Sequence, residues 1–87
     1  MTAEEFNARD FEPQQKVEIT YSSNGKSITI ICILYDAKIH PETPKKEEYP
    51  TGKIISLAIP ERIVVIVGGE KTIYIKDITS ITKYLEE

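Results

Sequence analysis

Between Lys16 and Ser22 hydrophobic and polar residues alternate without a break. Val17, Ile19 and Tyr21 fall on one side, with Lys16, Glu18, Thr20 and Ser22 on the other. A period of two marks a half-buried strand. Asn24-Gly25 follows, a pair that accepts positive φ at both positions and so favours a two-residue hairpin turn. Such a turn pairs Ser23 with Lys26, and counting back sets Tyr21 opposite Ile28, Ile19 opposite Ile30 and Val17 opposite Cys32. Every pair on that face is apolar, so turn chemistry and hydrophobic pattern specify the same register.

The second strand carries more apolar surface than one core face needs. Its other side presents Thr29, Ile31, Ile33 and Tyr35, and Ile30–Tyr35 is apolar on both sides. Ile63–Val67 has the same character. Strands apolar on both faces are covered on both faces. Two sources of cover fit the chain: an N-terminal helix acting through Phe6 and Phe11, or a second subunit or protein partner.

The remaining pattern fills out a β-rich domain. Thr2-Ala3-Glu4-Glu5 is a helix start with Thr2 as cap and Glu5 at the reciprocal position. Glu5 and Arg9 are spaced to pair on one helix face, Phe6 is the anchor, and the helix must end before Pro13. His40–Gly52 holds three prolines and mixed charge and reads as an exposed, mobile loop. Lys53–Ile59 is a strand with Ile55, Leu57 and Ile59 inward, Arg62–Val67 is another, and Lys71–Lys76 places Ile73 and Ile75 inward. Pro60-Glu61 and Gly68-Gly69-Glu70 supply turns. Ile78 and Ile81, three apart, suit either a helical turn or a sixth strand ending at Tyr84-Leu85. The expected fold is mainly β: a small five- to six-stranded, partly open barrel over residues 13–87, with a short acidic helix or arm over residues 1–12.

Composition narrows the function. A chain of 87 residues buries only about 60–65% of its unfolded surface, which favours a dense core or a shared surface. The single cysteine rules out an intramolecular disulfide and points to a reducing, cytoplasmic setting. The net charge of −3 lies within residues 1–12, and the rest of the chain balances ten acids with ten bases. A neutral body has no excess positive charge for a phosphate backbone. No apolar run approaches the roughly 20 residues that cross a bilayer as a helix, so no membrane partner is expected.

Candidate chemistry is sparse. Cys32 lies mid-strand on the core face, whereas a nucleophilic cysteine needs a base and an electropositive setting; a buried structural thiol is expected. His40, the lone histidine, lacks the company a zinc site needs. Asp36 and Asp77 sit near strand ends, where carboxylates close turns. Gly68-Gly69 joins two strands rather than a strand and a helix, which fits a hairpin turn and not a phosphate cradle. Lys45-Lys46-Glu47-Glu48 reads as a solvated charge run. No cofactor, metal or catalytic set is expected.

Two resemblances bear on the fold. A short helix followed by five strands, with Val17-Glu18-Ile19-Thr20-Tyr21 leading to Asn24-Gly25, is similar to the Sm-like small barrels. Tyr35-Asp36 resembles the aromatic–Asp pair of that family's first motif. Val65-Ile66-Val67-Gly68-Gly69 with Ile73-Tyr74-Ile75 resembles its second. The family's asparagine four residues after the Asp is here His40, and its basic residue before the turn glycine is Val67. The resemblance implies an RNA-binding oligomer with Asp36, His40 and Gly68 at the RNA. Residues 51–82 also resemble part of a PH-like or GRAM-type domain, through the ending Ile75-Lys76-Asp77-Ile78-Thr79-Ser80-Ile81.

The expectation is a non-enzymatic binding or assembly module. It associates with itself or with a protein through Thr29, Ile31, Ile33 and Tyr35 or through an exposed edge strand. The alternative is the Sm-like RNA binder. The size also suits a small regulator from a virus or mobile element.

Overall fold

The computed structural model describes residues 1–85; the barrel domain expected over 13–87 is therefore followed to residue 85. The chain begins with α1, Ala3–Ala8. Thr2 caps it: the Glu5 amide donates to Thr2 Oγ1 at 3.2 Å, and the hydroxyl donates on to Glu5 Oε1 at 3.3 Å. Six residues cannot hold a helix in water, so packing must. Phe6, 1% exposed, inserts into the core. Arg9 does not reach back to Glu5; its guanidinium donates to the Ile81 carbonyl at 2.8 Å and ties the helix end to the last strand.

Seven strands follow: β1 Lys16–Ser23, β2 Lys26–Leu34, β3 Thr43–Glu48, β4 Ile54–Ile59, β5 Arg62–Ile66, β6 Glu70–Tyr74 and β7 Ile78–Lys83, with a 3₁₀ turn at Ile75–Asp77 before β7. The fold is mainly β with one short N-terminal helix. It differs from the expectation in two respects: among the described residues there are seven strands rather than five or six, and they form two sheets that do not close into a barrel. The larger sheet runs β6-β5-β2-β1-β7, and β3-β4 stand as a separate pair.

The first hairpin has the register the sequence specified, with Tyr21↔Ile28, Ile19↔Ile30 and Val17↔Cys32, around Asn24 and Gly25 at φ 51° and 76°. Its inner face joins Leu34, Ile63, Val65, Ile73, Ile75, Ile78 and Ile81 in one buried cluster, closed from above by Phe6.

The segment from Ile78 is a strand, and a bulge explains its spacing. β7 pairs with β1 through Ile81↔Ile19 and Ser80↔Thr20, but Tyr21 pairs with Ile78, so Thr79 is the extra residue. The bulge adds one position to the alternation and brings both Ile78 and Ile81 inward. The Thr79 hydroxyl donates to the Thr20 carbonyl at 3.0 Å.

The segment His40–Gly52 is not a loop throughout. Thr43–Glu48 forms β3 and pairs with β4 from Thr43↔Ile59 to Glu48↔Ile54. Pro44 is tolerated because β3 is an edge strand. His40 bridges Arg62 in the same register, whereas Leu34 pairs with Val65. The β2 side thus carries three more residues than the β5 side, taken up in the bend at 35–39, where Ala37 has φ 53°. The hairpin is the far end of one long ribbon, interrupted by this bend. Its contacts are overwhelmingly between its own two strands. Ile55, Leu57 and Ile59, expected in the core, lie instead on this arm, with Leu57 45% exposed. The arm draws the molecule out to 57 × 25 × 22 Å.

Candidate interaction surfaces

Alternation puts Thr29, Ile31, Ile33 and Tyr35 on the face of β2 that points away from the core. The helix does not cover them. Phe6 and Phe11, with ring centroids 5.4 Å apart, pack on the opposite, inner side of the sheet with the buried cluster. Ile31 is 46% and Tyr35 48% exposed. Thr29 is exposed too, its hydroxyl 2.9 Å from that of Thr20, and Ile33 is half-buried beside its partner Ile66. Val64 and Ile66 of β5 are half-buried on the same side, so the apolar face spans two adjacent strands. Single exposed apolar residues are ordinary, but a contiguous group on a sheet face marks an interaction surface.

The sheet also ends in two strands with a free side, β6 and β7. Unpaired backbone groups on an edge are a template for another strand.

Asp36 and His40 are brought together, with His40 Nε2 3.0 Å from Asp36 Oδ2. The other Asp36 oxygen accepts from the Lys38 amide at 3.2 Å, which shapes the bend. His40 and Arg62 exchange backbone hydrogen bonds of 2.8 and 3.0 Å. The Arg62 guanidinium donates to the Pro41 carbonyl at 3.1 Å and to the Pro60 carbonyl at 3.3 Å. Together these contacts brace the base of the arm. Gly68 lies elsewhere, in the turn after β5. It lies six positions on from Arg62, about 20 Å along a strand. The three positions do not converge within one chain.

Cys32 is 3% exposed on the core face, as its strand position suggested, and burial pushes its thiol up to about 11. A thiol so disfavoured as thiolate is a poor nucleophile at neutral pH. Gly68 and Gly69, at φ 68° and 136°, make the turn between β5 and β6.

Sequence reasoning missed the arm as a surface. It exposes Tyr49, Ile54 and Leu57. A signal was present in Tyr49-Pro50-Thr51-Gly52-Lys53. Tyr49 and Lys53 close a hairpin through Tyr49 N–H to Lys53 O at 2.9 Å, with Gly52 at φ 83°, a three-residue loop with glycine at its left-handed position. No helix among the described residues is long and apolar enough to cross a membrane.

Compared with known proteins, the chain matches no family model, no curated protein and no solved structure.

Proposed function

We propose that this chain is a non-enzymatic assembly module that associates with itself through the outer face of β2 and β5. The observation that carries the reading is the open apolar face: Ile31 and Tyr35 stay about half exposed although the chain's own helix packs against the other side of the sheet. A small domain with limited burial gains most from covering such a face. The two free sheet edges support the same reading, because strand addition extends an interface begun on the face.

Light scattering tests it. Wild type is expected to weigh a multiple of 9.9 kDa. Ile31→Glu and Ile33→Glu are expected to reduce it to single chains at micromolar concentration, with Ile31→Glu still unfolding in one cooperative transition, lowered only by the lost association. A wild type that is a single chain at every concentration refutes the reading. Salt-dependent retention on RNA would favour the oligomeric RNA-binding alternative.

A further inference from the structure

The β3–β4 arm carries a second surface, and its register determines what fits there. On one face the rungs are Thr43↔Ile59, Lys45↔Leu57 and Glu47↔Ile55. Two neighbouring rungs therefore each hold one charged and one aliphatic residue. The charges are opposite in sign and lie on the same strand, with Lys45 Nζ 3.4 Å from Glu47 Oε1. The other face, Pro44↔Ala58, Lys46↔Ser56 and Glu48↔Ile54, has a single large aliphatic residue.

From this pattern we infer that the arm docks against the same arm of a second copy, face to face, about a two-fold axis that crosses both strands midway between the Lys45 and Glu47 rungs. The inference rests on the reading that the chain self-associates, but it uses a different surface. A two-fold interface is made of one patch meeting itself, so the patch must be self-complementary. This one is. The axis lays β3 antiparallel on the partner's β3 and β4 on the partner's β4. Lys45 then faces the partner's Glu47, and Glu47 the partner's Lys45. Leu57 faces the partner's Ile55, and Ile55 the partner's Leu57. The outer rungs follow: Tyr49 meets the partner's Thr43, and the Lys53 stem lies along the partner's Ile59.

Stability argues in the same direction. A lone two-stranded hairpin is marginal in water, and packing on another element is what usually secures it. The arm's own chain supplies little, since β3 and β4 pack chiefly on each other. Each arm face measures roughly 20 Å by 10 Å, well under the roughly 800 Å² per partner of a standard interface. The contact is therefore weak and concentration-dependent, and suits linking larger units that already hold together elsewhere.

Charge reversal tests the arrangement, with sedimentation equilibrium up to millimolar concentration in the Ile31→Glu background. That background removes association through the outer face. Lys45→Glu sets two acids against each other at both symmetric contacts, and Glu47→Lys sets two bases. Each is expected to weaken association by roughly tenfold, because symmetry doubles the loss. The double variant Lys45→Glu/Glu47→Lys restores it. So does mixing the two single variants, since one copy then carries two acids and the other two bases. Lys45 is exposed, Glu47 is half-buried and neither belongs to the buried cluster, so melting curves are expected to match the background. Single variants that associate as well as the background overturn the arm contact, as does a background that never associates. So does weakening that neither the double variant nor the mixture recovers. In each case dissociation of the wild type by Ile31→Glu still stands as the separate test of the outer face.

Discussion

Deleting one residue from a strand normally turns every side chain beyond it to the wrong face, yet deletion of Thr79 is expected to be tolerated. The deletion leaves Ile78-Ser80-Ile81 in sequence, and their partners on β1 are Tyr21, Thr20 and Ile19. That is an unbroken ladder with both isoleucines still inward. The structural loss is the Thr79 hydroxyl's hydrogen bond to the Thr20 carbonyl, worth about 0.5–1.5 kcal/mol. It falls at the low end because the site is exposed and water can take the hydroxyl's place. Regularising the ladder offsets part of this, so the net change is expected within about 1 kcal/mol. The control is deletion of Glu18, in the uninterrupted part of β1. It turns Val17, fully buried, to solvent, at about 1.5–3 kcal/mol, and swings Lys16 into the core, at several more. Against a total of about 4–13 kcal/mol for a domain this size, the control should fold poorly or not at all. Urea unfolding followed by far-UV circular dichroism reads both, since the chain lacks tryptophan. If the Thr79 deletion costs as much as the Glu18 deletion, Thr79 is not a removable bulge and the account of β7 is wrong.

Two further perturbations probe the core. Phe6→Ala is expected to cost about 3–5 kcal/mol and to loosen α1, because Phe6 is its one buried side chain and the Arg9 hydrogen bond to Ile81 remains; a loss below about 1 kcal/mol in urea titration would show the helix to be peripheral. Cys32 gives a pH signature: its thiol is raised from 9.0 to about 11 in the folded chain. Between those values the native state holds the proton and the unfolded state releases it. Its contribution is thus present below pH 9 and lost as pH rises toward 11, amounting to roughly 2–3 kcal/mol. Urea titrations at pH 8 and 11 should show a decline in wild type that is smaller by this amount in Cys32→Val; equal declines would contradict the assignment.

How much of the fold is legible in the sequence depends on what burial writes into it. The β1–β2 hairpin could be read residue by residue because Asn24-Gly25 sets the register and a half-buried strand records its two faces. Ile78 and Ile81 were ambiguous because a bulge gives a strand the three-residue spacing of a helical turn. The arm is illegible for a different reason. β3 stands clear of the core, so nothing selects an alternating pattern, and its prolines and charges look like a loop. Ile55, Leu57 and Ile59 alternate as a core strand would, and the pattern cannot say which body they face. The outer stripe from Thr29 to Tyr35 was plain in the sequence, but its exposure depends on where the helix docks, which follows from the three-dimensional position of Phe6 and not from local pattern.

The projecting arm also governs how the molecule moves through a matrix or a solution. A compact chain of this length has a radius of gyration near 12 Å, against 15.1 Å here. Drag follows the long dimension, so one copy should leave a gel-filtration column ahead of globular standards of its mass and rotate more slowly than they do. A retention volume read against such standards would overstate the mass of a single chain, and the mass must come from scattered light or sedimentation.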